Sequence, residues 1–358
     1  MTAALTVTVH ADPGLPTRRA RGLRDDLRET LEERCGVPVT VEVTAAALGL
    51  TQENVIDLRT VEDAVPEVTD PDDARVVLVL TEIPRHRDGR PLVAELEPDR
   101  GIAVVSCPTL GVWRSRRRLL RVLQDCVLRS VPETVAVETG SSEDVADLRH
   151  RWTRWCDDEV GPDRVLMASG PVATARMVMG MTAANEPLRT AVHLSTALAA
   201  AMAVGAFGIF YSSIWEMAAA SSPSRLALVA LTAMVSMTAW LLWSNRLWDR
   251  ARLEPLRRIV ALYNLSTILT LALCVVVLYA VLVLVILAAA ALVIEPTFMA
   301  SVLDADPTPR EYLEIAVLSA SMGVVAGALG SSFDSDVDVR DLTHGQRERQ
   351  RLAEVGDR

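Results

Sequence analysis

The pattern of apolar and polar positions divides the chain into two unlike halves. Residues 1–188 alternate short apolar runs with charge, whereas residues 189–333 are mostly apolar. In the first half, LTVTVHA (residues 5–11) and VPVTVEV (residues 37–43) alternate with a period of two and predict strands. Between them Leu23, Leu27 and Leu31 recur every four residues on a charged surface, and Gly36 follows. That spacing predicts an amphipathic helix with its stop signal. ARVVLVLTEIP (residues 74–84) predicts a buried strand ending at a proline, and PLVAELEP (91–98) with GIAVVSCP (101–108) predicts a hairpin. RSRRRLLRVLQDCVLRSV (114–131) predicts a helix with Leu119, Leu120, Val122, Leu123, Val127 and Leu128 available to pack. This order implies an α/β domain with a mixed sheet over residues 1–135. Residues 136–188 read as a linker holding a charged helix, a break at Gly161-Pro162 and a Met-rich amphipathic helix. The last of these suits either the inner leaflet or a buried linker position.

A helix needs about 20 apolar residues to cross a bilayer. Four segments qualify, 190–215, 226–245, 259–294 and 315–333, and predict an all-α transmembrane domain of four helices over residues 189–333. An Arg/Asp-rich tail, 334–358, follows. The third segment, IVALYNLSTILTLALCVVVLYAVLVLVILAAAALVI, runs 36 residues without a formal charge. As one helix it would measure about 54 Å, against about 30 Å of hydrocarbon. A hairpin would have to turn near Val277, in VVVLYAVLV, where Gly, Pro, Asn and Ser are all missing. A turn there would also expose backbone groups to lipid. One crossing is therefore expected, the excess length being taken up by tilt or by apolar turns beyond the headgroups.

Charge then orients the helices. The loop after the second span holds Arg246, Arg250, Arg252, Arg257 and Arg258, and the tail holds Arg340, Arg347, Arg349, Arg351 and Arg358. The loops after the first and third spans hold one each, Arg225 and Arg310. The positive-inside rule puts both termini in the cytoplasm of a bacterial inner (plasma) membrane, with Trp215, Trp243, Trp248 and Tyr312 near the interfaces. All 36 basic residues are Arg, as in a GC-rich bacterial genome. Residues 1–188 carry 23 Arg against 31 Asp and Glu, a net charge of −8. That balance argues against nucleic acid as a partner, because polyanion binding needs a basic excess. Five cysteines without a CxxC pair suit reduced thiols in the cytoplasm, and MTAALTVTVHADPG lacks the features of a cleavable signal peptide. The spans hold no Asp, Glu or Arg at midplane depth, and His193 reads as an interfacial residue, which argues against a proton-coupled transporter.

Two features invite function. In SASMGVVAGALGSS, Ser319, Gly323, Gly327 and Ser331 recur every four residues and form a small-residue face, echoed more weakly by Ala197, Ala201 and Gly205. Such a face packs helices within one chain or forms the seam of a homo-oligomer. In RSRRRLLR, Arg114, Arg116, Arg117, Arg118 and Arg121 open a helix whose N-terminus already favours anions. They are candidate contacts for an anionic lipid headgroup or a phosphorylated ligand, with a solvated helix face as the plainer alternative. Catalytic signals are missing. The chain has no Lys and hence no P-loop, no GxGxxG after a strand and no GxSxG elbow. Cys107, at a strand end beside Ser106, reads as a buried inert thiol, and Glu82 and His86, flanking the strand end at Pro84, read as cleft-lining residues or as solvated loop residues. No catalytic residue, cofactor or metal site is expected.

The stretch VLVLTEIPRHRDGRPLVAELEPDRGIAVVSCPTLG resembles the segment that archaemetzincin-type zinc peptidases place ahead of their active-site helix. The resemblance implies zinc chemistry on a following HExxH helix, but RRRLLRVLQDCVLRSV contains no His. The third and fourth spans, with MGMTAANEPLR, resemble uncharacterised actinobacterial multi-pass membrane proteins, which supports the topology and implies no activity. The expected function is that of an integral membrane protein with a non-catalytic cytosolic α/β sensing or binding domain, self-associating through its helices. The alternatives are a channel or membrane-perturbing effector and a membrane-attached hydrolase-like enzyme.

Overall fold

The computed structural model describes residues 4–45, 74–87, 89–131, 152–157, 164–170, 172–187, 195–249 and 257–330. The interfacial His193, Ser331 and the tail 334–358 lie outside them, as does most of the charged helix expected ahead of Gly161-Pro162, whose described part, Thr153–Asp157, is a strand instead. The chain forms two compact units that divide between Ala184 and Asn185.

The first unit is built on a mixed sheet of eight strands: β1 (Leu5–Ala11), β2 (Val39–Ala45), β3 (Ala74–Thr81), β4 (Arg85–Arg87), β5 (Arg90–Glu97), β6 (Ile102–Ser106), β7 (Thr153–Asp157) and β8 (Arg164–Ala168). Their order is β2-β1-β3-β6-β5-β8-β7, with β4 paired to β5. The first four in that order are parallel, and the expected hairpin is the antiparallel pair β5–β6. Helix α1 (Leu15–Cys35) begins with Pro16 in its first turn and ends where Gly36 turns left-handed at φ 67°, its N–H donating to the Glu32 carbonyl. Only glycine adopts that conformation without steric cost. Leu23, Leu27 and Leu31 of α1 join Leu119, Val122, Leu123 and Val127 of α2 (Ser115–Ser130) over one face of the sheet. There they bury Val7, Val9, Leu78, Leu80, Ala103 and Val105. Each of these valines and leucines contributes about 1.5–3 kcal/mol of apolar burial.

The sheet does not end at residue 135. TRWCD and RVLMA, inside the expected linker, form β7 and β8 and pair antiparallel with each other, β8 also with β5. The Met-rich segment is helix α3 (Ala173–Ala184), which packs on the 3-10 turn Cys107–Leu110. A β-carbon on Gly180 would lie 2.0 Å from the Pro108 carbonyl oxygen, so only glycine permits this approach. Met177, Val178 and Met181 are buried.

The second unit contains α4 (Ser195–Gly205), α5 (Phe207–Phe210), α6 (Ser212–Ala219), α7 (Pro223–Ser244), α8 (Arg257–Val293), α9 (Pro296–Leu303) and α10 (Pro309–Gly330). Helix α8 runs unbroken through Val277. Three helices among the described residues, α7, α8 and α10, are long and apolar enough to cross a membrane. The expected first span is not one straight helix. It breaks at Tyr211, whose backbone is extended (φ −106°, ψ 110°), and its two parts meet at 85°. A broken helix leaves carbonyls without partners. Here the Trp215 indole N–H donates to the Gly208 carbonyl at 2.8 Å and satisfies one of them. Trp215 is buried and set edge-on to Phe298, whereas Trp243 and Trp248 are exposed. Counting the bent pair as one span gives four.

Helices α4 and α10 pack backbone to backbone. A β-carbon on Gly323 would meet the Ala201 carbonyl at 2.4 Å, and one on Gly327 the Ala197 carbonyl at 2.6 Å. Ser319 abuts Gly205 and Gly208. Leu271, Leu278, Leu282, Ile286, Ala316, Ala320 and Val324 form the apolar part of the interior, and Ser266, Thr267, Thr270, Glu314, Ser319 and Ser321 are buried among the helices as well.

Candidate functional site

Strands β1, β3 and β6 lie side by side and parallel, and each is followed at once by a chemically functional residue: Asp12, Glu82 and Cys107. The register pairs Ala11 with Leu80 and Thr81 with Ser106, so the three strand ends share one edge. The chain leaves β1 toward β2 on one side, and β3 lies on the other. β1 is thus the point where the strand order reverses, and in open α/β sheets ligands bind outside the carboxyl ends of strands at such a point.

The edge is held by a connected set of hydrogen bonds. Asp12 is fully buried and its Oδ2 accepts from the Thr81 hydroxyl and from the Glu82 backbone N–H, both at 2.9 Å. The Thr17 hydroxyl donates to the Asp12 carbonyl at 2.7 Å and ties the start of α1 to the end of β1. Thr81 Oγ1 in turn accepts from the Ile83 N–H, whose residue's carbonyl takes the Ser106 hydroxyl at 2.9 Å. Thr109 bridges Ser106 and the Leu92 carbonyl. Arg19, one turn into α1, exerts its charge on Cys107, as do Asp12 and Glu82. Burial pushes the Cys107 thiol up to about 12, with Arg19 opposing and the two carboxylates adding to the rise. A neutral buried thiol is neither nucleophile nor metal ligand at neutral pH. The edge therefore gathers two buried acidic residues and one guanidinium around an enclosed thiol.

Of the pair expected to flank a cleft, Glu82 belongs to this edge and His86 lies on β4, half-buried. The arginines at the start of α2 separate. Arg114 forms the N-cap in a left-handed conformation (φ 55°). Arg116 is spent on α1, donating to the Gly22 carbonyl and to Asp26 at 2.8 Å. Arg117 and Arg121 are exposed. Arg118 donates to the Leu110 carbonyl at 2.8 Å and lies over Trp152, which Arg176 of α3 also approaches. Asp12 and Arg19 are site residues that the sequence did not single out. The only available signal was a polar residue between a strand and a Pro-Gly turn into a helix, which is too common to point anywhere. Among the described residues no group of three or more His, Cys, Asp or Glu is arranged to hold a metal ion.

Compared with known proteins, the chain matches no family model, no curated protein and no solved structure.

Proposed function

We propose that the chain is a four-crossing membrane protein with both termini in the cytoplasm, whose α/β unit binds a polar small ligand at the carboxyl edge of β1, β3 and β6. The observation that carries the binding role is the convergence of buried Asp12 and Glu82, with Arg19, at the strand-order reversal. The neutral Cys107 favours binding over acyl-transfer chemistry.

The path of the bent pair supports an even number of crossings. Ala197 lies beside Gly327, Ala201 beside Gly323 and Gly205 beside Ile286. After the bend, Trp215 meets Phe298, which lies past the end of α8. This path, from the C-terminal end of α10 toward α9, supports reading the bent pair as one broken span. The arginine-rich loop near α8 supports the cytoplasmic orientation. The Gly323–Gly327 face is filled by α4 of the same chain, which favours intrachain packing over a self-association seam.

The test is a thermal-shift screen of the full chain in neutral detergent against nucleotides, sugar phosphates, amino acids and dicarboxylates, with Glu82→Gln and Arg19→Gln as variants. A stabilising compound whose effect is lost in both variants upholds the reading. No stabilising compound, or one indifferent to both substitutions, contradicts it.

A further inference from the structure

The same ring, Trp152, collects two cations. The guanidinium carbons of Arg118 and Arg176 each lie 5.1 Å from its centroid. Each cation gains from the ring face, but a neutral ring cancels no charge, and two like charges held together repel. Elsewhere on α2 the chain pairs its arginines: Arg116 meets Asp26 and Arg129 meets Asp125. Among the described residues neither Arg118 nor Arg176 has a carboxylate within ion-pair distance. Arg118 donates one bond, to Leu110, and keeps the rest of its donors. Arg176 has its Nη1 buried with no hydrogen-bond partner. Leaving such a donor unmet costs about 1–3 kcal/mol, so the arrangement is built at a cost to stability.

The local backbone is shaped for it. Gly111 is left-handed at φ 75°, and a β-carbon there would lie 2.5 Å from the Arg176 Cγ. Glycine at this position lets the Arg176 stem cross the turn that also presents the Leu110 carbonyl to Arg118. The charge of Arg118 acts on Arg176, and two planar guanidinium forks drawn to one ring offer several donors to the acceptor oxygens of a phosphate, which take up charge and hydrogen bonds together.

We infer that Arg118 and Arg176, gathered on Trp152, form an oxyanion site that takes a phosphate-type group. Arg116 is not part of it, and Arg176, remote in sequence from the α2 cluster, is. The group can come from a soluble phosphate or from a lipid headgroup, and the experiment separates the two.

Thermal unfolding and Trp emission of the full chain are followed in neutral detergent with pyrophosphate or with chloride at matched ionic strength. The same readouts are taken in nanodiscs of phosphatidylcholine with and without phosphatidylglycerol. Arg176→Gln and Arg118→Gln remove the site singly, and Arg117→Gln, an exposed arginine of the same helix, is the control. A rise of several degrees with pyrophosphate, kept in Arg117→Gln and lost in either site variant, assigns a soluble phosphate. The same pattern only with phosphatidylglycerol assigns a headgroup. No response in either arm, or one that survives both site substitutions, overturns the inference. If one site variant fails to fold, the other decides.

Discussion

The α-carbon of Gly323 faces the Ala201 carbonyl so closely that a β-carbon would sit 2.4 Å from its oxygen, and the obstacle is backbone. Gly205 is equally tight, but its neighbour at 2.6 Å is the terminal methyl of Ile286, which can rotate away. Gly323→Ala is expected to cost about 1–3 kcal/mol through overpacking, and Gly205→Ala less. Unfolding in mild detergent, scored side by side for the two variants, checks the order. Equal costs would mean that α4 and α10 are not in backbone contact.

In the first unit the same reasoning gives opposite signs at two glycines. Gly180→Ala would drive its methyl into Pro108, whose carbonyl oxygen lies 2.0 Å away, and is expected to loosen α3 from the sheet. Gly22 sits in the interior of α1 with open space around it, so Gly22→Ala is expected to stabilise by about 0.5–1 kcal/mol. Denaturant titration of both variants measures this.

Asp125 is buried on α2 and accepts from the Trp155 indole N–H at 2.6 Å and from Arg129 at 3.0 Å, while Arg129 lies over the Trp155 ring. This triad fastens β7 to α2. Asp125→Ala is expected to destabilise by about 3–5 kcal/mol, because it leaves Arg129 unpaired in a half-buried position. Hydrogen exchange should then show β7 losing protection before β1 and β3.

His10 lies on the sheet face opposite α1 and is buried. Burial, assisted by nearby Arg75, holds its pKa below the ordinary value. The unfolded chain therefore takes up a proton that the folded chain resists. Stability from this residue is complete above about pH 6.5 and is lost as the pH falls toward the folded-state value. His10→Gln should flatten that acid limb of a stability-against-pH curve. An unchanged limb would place the titration elsewhere.

Cys156 is exposed, whereas Cys35, Cys107, Cys126 and Cys274 are buried. Maleimide is expected to modify one thiol in the folded chain and all five after denaturation, counted by intact mass. Early reaction of Cys107 would contradict its neutral, enclosed state at the strand edge.

Much of this fold was legible in advance, and the exceptions have physical causes. The period-two runs of β1 and β2, the leucine spacing of α1 and the uninterrupted apolar run of α8 each encode their element locally. β7 and β8 are five residues long, and β8 pairs with β5, more than sixty residues earlier, so nothing in TRWCD or RVLMA announces a sheet. The bend at Tyr211 has no proline to mark it and is held by Trp215 reaching back to Gly208. The small-residue face was visible, and so was its echo at Ala197, Ala201 and Gly205 of α4, but not that the two faces meet. At the strand edge, Glu82 and Cys107 drew notice as strand-end residues. Their convergence with Asp12 and Arg19 depends on the parallel order of β1, β3 and β6, a tertiary fact. The grouping of Arg118, Trp152 and Arg176 likewise joins three separate segments that no motif connects.

The most direct test of the account is the sidedness of two positions in intact cells. In a Cys156→Ser background, Ser224→Cys at the start of α7 and Arg349→Cys in the tail are treated with a membrane-impermeant maleimide before and after lysis. Four crossings predict that Ser224→Cys reacts in intact cells and Arg349→Cys only after lysis. Labelling of Arg349→Cys in intact cells, with Ser224→Cys protected, would make the bent pair a re-entrant loop and contradict the even-crossing topology.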